Sequence, residues 1–346
     1  MIKSHDKTKV LVAGLGGASL GTEIVKSLYK AGRYYIYGCD ISAYAYGHFM
    51  PECIKSIQIS LERYIESIVE FCTENTIRYV IPGGEGPLGL LNENRDKLNK
   101  AGIIPVLNNE KIIDICSDKS KTFTVLSSMG FTIPYTLEIE KWENNIDISF
   151  PCIIKPATGT GGSNFVFLGA NKEELGMYVQ YLLNKGQKVI VQEYIPHQDG
   201  EYTIGVLSLT NGAIVGSICL ERVFHNKLSI MHKSELGLIS SGYTQGFIIN
   251  RPELCDMAEH IAKSLGSTGP INIQGRIKDG KLVPFEINPR FSASTYLRNL
   301  AGFNELDLYL QHLLTGRTTF PSFTIKEGYC ARSFSEMFIK KEVLHD

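Results

Sequence analysis

The chain has 346 residues, room for two or three domains and a sizeable core, and its 43% hydrophobic and 21% charged fractions are ordinary for a globular protein. Lys and Arg number 35 against 36 Asp and Glu, a net charge of −1 that excludes a global basic field for nucleic acid or an anionic membrane. The eight cysteines are scattered without a C-x-x-C, against both a zinc ribbon and a disulfide framework; the apolar run Val10–Ala13 is too short for a signal peptide, and no stretch approaches the roughly 20 residues that span a bilayer, so a cytoplasmic protein is expected.

Val10–Ala13 reads as a short buried strand, followed by the turn Gly14-Leu15-Gly16-Gly17-Ala18-Ser19. A helix follows, with Leu20, Ile24, Val25 and Leu28 on one face and Gly32 as its stop. Strands at 34–39 and 56–59, a helix at 61–74, a strand at 79–81, the loop Pro82-Gly83-Gly84-Glu85-Gly86, a helix to about Leu98 and a strand at 103–107 continue the alternation. Strands alternating with helices predict a doubly wound parallel sheet. Gly14-x-Gly16 with the acidic Asp40 also offers a dinucleotide reading, and hence a nicotinamide-dependent oxidoreductase, but Ser19 stands where the third glycine of G-x-G-x-x-G belongs. The competing readings are that the glycines only turn the backbone into the helix, or that this loop and Gly83-Gly84-Glu85 line a substrate pocket.

Asp118 is suited to cap a helix running from Lys119 to Met129, and beyond Gly130 the pattern changes to antiparallel-looking strands. Phe150–Pro156 is a buried strand that ends in Lys155. The loop after it carries Gly159, Gly161, Gly162 and Ser163, whose backbone N–H groups can close over phosphates beside that lysine. It is not a Walker A loop, since no Gly-Lys-Ser/Thr follows and its flanks are strands; the bland alternative is a surface hairpin. A helix at 173–183 leads to Gln192-Glu193-Tyr194-Ile195 before Pro196, an apolar segment suited to the edge of an adenine. Glu201, eight positions beyond Glu193, suits a ribose diol, although either glutamate alone reads as a solvated surface residue. Residues 221–247 are polar, carry Arg222, His225, Lys227, His232 and Lys233, and read as a long loop able to close over a site.

After a helix at 252–265, Ile271–Gln274 and Leu282–Arg290 read as two strands joined by a turn at Asp279-Gly280. Alternation sends Glu286, Asn288 and Arg290 to one face, and the hairpin sets Gln274 beside Glu286. Oxygen donors without nearby Cys or His suit Mg²⁺ or Mn²⁺, and Mg²⁺ so held keeps company with nucleotide phosphates. The alternative is that Glu286 and Arg290 simply pair with each other. A helix at 303–314 and a closing strand within 329–338 complete the chain.

From about Asp118 to Gly316 this order of parts resembles the ATP-grasp superfamily, in its carbamoyl-phosphate-synthetase-like and carboxylate–amine ligase branch. The resemblance implies an α/β and α+β chain: a Rossmann-like pre-ATP-grasp domain over residues 1–117, a small lid subdomain over 118–195 and a large subdomain with the metal site over 196–346. It implies that Lys119 and Lys155 hold ATP phosphates, that Gly159–Ser163 is the loop covering them, that Gln192–Ile195 is the adenine hinge and that Glu201 is the ribose carboxylate. It implies Gln274, Glu286 and Asn288 as ligands of Mg²⁺ or Mn²⁺, and Arg290, in Asn288-Pro289-Arg290, as a phosphate-binding arginine. Many family members carry Asp or Glu where this chain has Gln274, and a full carbamoyl-phosphate synthetase large chain needs two such units where this chain has one. The implied chemistry is phosphorylation of a carboxylate by ATP followed by attack of an amine, with Lys155 and Arg290 in catalytic roles. Small-molecule carboxylate and amine substrates and a homodimer are the implied partners. The rivals are a carboxylase using bicarbonate, the oxidoreductase named above, and a nucleotide-binding module without catalysis.

Overall fold

The computed structural model describes residues 7–17, 19–143, 145–159 and 163–341. Their contacts divide the chain into two units, one drawn from Met1–Asn108, Arg290–Ile325 and Ser333–Asp346, the other from Asn109–Pro289 and Lys326–Arg332. Among the described residues, no helix is long and apolar enough to cross a membrane.

In the first unit, β1 (Thr8–Ala13), α1 (Leu20–Ala31), β2 (Tyr34–Asp40), β3 (Cys53–Gln58), α2 (Tyr64–Asn75), β4 (Tyr79–Pro82), α3 (Glu85–Glu93), α4 (Arg95–Lys100) and β5 (Ile104–Pro105) follow in order. The strands form a parallel sheet in the order β3-β2-β1-β4-β5. Val10, Leu11, Val12 and Ala13 are all fully buried, as a central parallel strand covered on both faces must be. Helix α1 turns its apolar stripe inward and ends on Gly32, whose left-handed backbone no β-carbon obstructs. The single helix expected to about Leu98 is instead two, broken at Asn94.

The second unit opens with α5 (Glu110–Cys116) and α6 (Lys119–Ser128). Asp118 caps α6 by accepting from the Ser120 and Lys121 N–H groups. Then come β6 (Thr136–Ile139), β7 (Cys152–Pro156), β8 (Phe167–Gly169), α7 (Lys172–Asn184) and β9 (Val189–Glu193). They make an antiparallel sheet, β6-β9-β7-β8, whose apolar face packs on Leu175, Val179 and Leu182 of α7. β10 (Glu201–Ser208), β11 (Ile214–Arg222), β12 (Ile230–Lys233), β13 (Leu238–Ser240), β14 (Gly246–Ile249), α8 (Pro252–Leu265), β15 (Pro270–Lys278) and β16 (Lys281–Asn288) complete it. The segment expected to be one long loop, 221–247, therefore holds the end of β11, the β12–β13 hairpin and the start of β14. Helix α8 packs its Leu254, Ala258, Ile261 and Leu265 onto Ile204, Val206, Ile271 and Ile273.

Chain return then divides between the units. α9 (Thr295–Leu300) and α10 (Glu305–Thr315) pack on α1 of the first unit, fixed by the buried ion pair of Arg298 and Glu305 at 3.1 Å. β17 (Gly328–Cys330) joins the second unit and pairs with β14, giving a six-stranded sheet in the order β16-β15-β10-β11-β14-β17.

Candidate functional site

In the second unit the two sheets present their strand ends to one cavity, lined by Lys119, Lys155, Ser163, Gln192, Glu193, Tyr194, Ile195 and Glu286 among others. Eight residues expected from sequence to meet a nucleotide or its metal thus share one space. Ile153, Val166, Leu238, Ile239 and Phe285 give it apolar walls, the surface a flat base needs to leave water.

Lys155 is the penultimate residue of β7, with its side chain buried. Its ammonium donates to Gln192 Oε1 at 2.9 Å and to the Phe285 carbonyl at 3.1 Å, and lies 5.7 Å from the centre of the Phe123 ring. Gln192 is oriented for this by donating from Nε2 to Thr136 Oγ1 at 2.8 Å. Burial, and then the charge of Lys119, pull the Lys155 pKa down to about 7, while Glu286 acts in the opposite sense. A cationic group held under strain of desolvation is poised to be stabilised by an anion. Lys119, at the start of α6, is anchored through its backbone N–H to the Ala157 carbonyl at 2.9 Å.

The hinge is stitched by its backbone. Glu193 N–H donates to the Tyr135 carbonyl at 2.8 Å, its carboxylate accepts from Tyr135 N–H at 3.1 Å, and Lys278 forms an ion pair with that carboxylate. Tyr194 is nearly buried and accepts at its hydroxyl from Leu238 N–H at 2.8 Å. Ser163 donates from Oγ to the Ser240 carbonyl at 2.7 Å, and Gly159, at φ 75°, supplies the left-handed turn that starts the loop. Gly161 and Gly162 lie outside the described residues.

Gln274 faces Glu286, as read from the sequence, by way of a bulge between Gln274 and Gly275 in the β15–β16 pairing. Asn272 faces Asn288, and Asp279 and Gly280 are both at positive φ in the turn. Gln274 Nε2 donates to Glu286 Oε2 at 3.0 Å. Among the described residues no three His, Cys, Asp or Glu side chains gather as a metal set. The donor set expected from the sequence, Gln274, Glu286 and Asn288, is one carboxylate and two amides, a chemistry that would suit a hard cation such as Mg²⁺ completing its shell with water and phosphate oxygens, and would not suit zinc.

Glu201, whose bland reading is a solvated surface residue, lies inside the fold. It is fully buried, and its carboxylate is bound by Arg276 at 2.7 Å and Arg222 at 3.3 Å. Burial alone would raise its pKa, but the two guanidinium groups offset this and hold it below the usual carboxylate range. Arg276 itself lines the cavity and was missed by sequence reasoning, although it lies two positions beyond Gln274 on the same strand.

Arg290 belongs to the first unit, where Nη2 contacts Glu85 Oε1 at 2.8 Å and Nη1 donates to the Phe291 carbonyl at 2.9 Å. The glycine turn of that unit is filled by its own residues. Asp40 accepts from Leu15 N–H at 2.5 Å and from Ser42 N–H at 2.9 Å, and the wholly buried Leu15 side chain covers Gly38 and Gly47. A β-carbon at Gly83 would lie 1.9 Å from the Gly14 carbonyl oxygen, so that glycine serves close packing. The acidic residue of the dinucleotide reading is thus spent on closing the turn.

A family profile described as the ATP-grasp domain matches residues 116–294. The carbamoyl phosphate synthase large chain of Saccharolobus solfataricus is 24% identical over 341 residues, an alignment that covers 91% of this chain and 30% of that one. The chain thus spans under a third of the length of that curated relative. The L-amino acid ligase from Bacillus licheniformis has a similar fold, with a TM-score of 0.66 at 17% identity, covering 90% of this chain and 75% of the ligase. So does the biotin carboxylase domain dimer of the Hydrogenobacter thermophilus 2-oxoglutarate carboxylase, solved with MgADP, ADP and bicarbonate: TM-score 0.65, 17% identity, coverage 91% and 72%.

Proposed function

This chain belongs to the ATP-grasp family, and on that footing we propose that it is an ATP-dependent ligase that phosphorylates a small-molecule carboxylate and couples the resulting acyl phosphate to an amine. The observation that supports this reading best is the convergence of Lys119, Lys155, the Gln192–Ile195 hinge and Glu286 on one apolar-walled cavity.

The side chains do the work of binding and neutralisation; no nucleophilic side chain is required. Gln192 to Ile195 hold the purine edge, with Gln192 also fixing Lys155 in place. Lys119 and Lys155 bind the phosphates and offset the charge that grows on the transferring group. The loop that carries Gly159 and Ser163 is the segment proposed to keep water from the acyl phosphate. Gln274, Glu286 and Asn288 would hold Mg²⁺ or Mn²⁺, which when bound supplies Lewis-acid charge neutralisation at the phosphates. A homodimer in the cytoplasm belongs to the same proposal, supported by the dimeric state of the carboxylase relative and by eight cysteines that are all free.

Phosphate release with ATP and Mg²⁺, screened over pairs of amino acids with mass spectrometry of the products, tests the reading. A product carrying a new amide supports it. Release that depends on bicarbonate alone would assign the chain to carboxylation instead, and failure to bind MgADP would end the reading altogether.

A further inference from the structure

Resting on the nucleotide-binding reading above, we propose that Arg276 is a positioning residue that ties the hinge of the base pocket to its roof, and that Glu201 serves the nucleotide through Arg276 and not by touching the ribose. A single guanidinium makes four contacts. Nε donates to Glu201 Oε2 at 2.8 Å, Nη1 to the Ile195 carbonyl at 2.6 Å and Nη2 to the Leu238 carbonyl at 2.8 Å, while Nη2 also lies 2.7 Å from the same carboxylate. Its central carbon lies over the rings of Tyr194 and Phe285, 5.1 and 5.8 Å from their centres. Ile195 ends the hinge; Leu238 begins β13, the strand that closes the other side of the cavity.

The roof pairs with β12 and has further ties to the rest of the pocket. Tyr194 accepts from Leu238 N–H, Ser163 donates to the Ser240 carbonyl, and Arg222 donates from Nη2 to the Ser241 carbonyl at 2.7 Å. Arg222 reaches back to Glu201, so one carboxylate orients both arginines that hold the roof. Burying two guanidiniums and one carboxylate is costly unless they are paired, and here both guanidiniums meet Glu201 and donate to backbone carbonyls of the pocket wall, although Arg222 Nε has no hydrogen-bond partner among the described residues. The cluster carries one net positive charge, complementary to an anionic nucleotide. Lysine cannot reproduce this, because its point charge cannot bridge two carbonyls and a carboxylate in one plane.

MgADP binding by calorimetry, with amide exchange of the full-length protein, tests the clamp. Arg276→Met should weaken MgADP about 10- to 100-fold and speed exchange at Leu238–Ser241 while β10 and β15 stay protected; Arg276→Lys should recover part of both. Glu201→Gln, nearly isosteric, should weaken ADP and 2′,3′-dideoxy-ADP by the same factor. If that factor collapses to about one for the dideoxy nucleotide, Glu201 touches the ribose and the indirect role is overturned. Should Arg276→Met not fold, Glu201→Gln and Arg276→Lys carry the test, and wild-type affinity with wild-type roof exchange in both overturns it. Wild-type protein that fails to bind MgADP removes the ligase reading and the clamp with it; wild-type binding with unchanged variants removes the clamp alone.

Discussion

Gln274 Nε2 donates to Glu286 Oε2 at 3.0 Å, across a register that sets the two residues opposite each other on β15 and β16. With its amide nitrogen committed to the carboxylate, Gln274 would have its carbonyl oxygen left to offer a cation. Glu286 is then the one charged donor of the proposed metal set, and the site's affinity rests on it.

Glu286→Ala should therefore abolish ATP turnover, by 10³-fold or about that, with little change in melting temperature, since the side chain is only half-buried. Gln274→Glu adds a second carboxylate and should lower the Mg²⁺ concentration needed for half-maximal nucleotide binding. Substantial ADP release by folded Glu286→Ala would remove the metal assignment.

Lys155 yields a pH signature with a definite sign. Its folded pKa of about 7 lies below the ordinary 10.5, so between those values the unfolded chain binds more protons than the folded one. Stability should rise with pH across that window and flatten above it; Lys155→Met should lose the slope. Phosphates brought beside the ammonium raise its pKa again. MgADP binding at pH 8 should accordingly take up protons, seen as a dependence of the calorimetric enthalpy on buffer ionisation, and Lys155→Met should abolish the uptake. Turnover in that variant should fall about 10²-fold or more.

How much of this was legible in the sequence depends on the range of the signal. The turn of the β15–β16 hairpin was readable because Asp279-Gly280 states it locally, whereas the pairing of Gln274 with Glu286 also depends on a bulge between Gln274 and Gly275 that the turn and alternation alone do not state. The Lys155 strand end and the Asp118 cap are local signals of the same kind. The β12–β13 hairpin was not readable: Ile230–Lys233 and Leu238–Ser240 are strands of four and three residues, too short for a period to emerge. α5 was missed for a similar reason, being seven residues capped by Asn109. Arg276 and Glu201 were out of reach in another sense, because their pairing joins positions 75 apart and only the β10–β15 register brings them together. The return of residues 290–325 to the first unit is equally non-local.

The buried pair of Arg298 and Glu305 gives the first unit a stability test of its own. Both side chains are about 1% exposed, 3.1 Å apart, and Thr295 Oγ1 donates to Glu305 at 2.8 Å. Glu305→Ala should cost about 3–5 kcal/mol by leaving the guanidinium buried without its carboxylate, whereas Arg298→Met with Glu305→Leu should recover much of the loss. Denaturant titration followed by tyrosine fluorescence would measure both.

Asp40 decides the oxidoreductase alternative. Its carboxylate closes the turn after β1 through Leu15 and Ser42 N–H, the kind of backbone donors a pyrophosphate would need. A titration with NADH should show no saturable fluorescence change up to millimolar concentration. Asp40→Ala should lower stability by about 1–2 kcal/mol, since it strands the Leu15 N–H in a half-buried turn, and should leave MgADP affinity unaltered. Saturable NADH binding lost on that substitution would instead place a dinucleotide in this turn, because a carboxylate engaged only in holding its own backbone has no ribose to release.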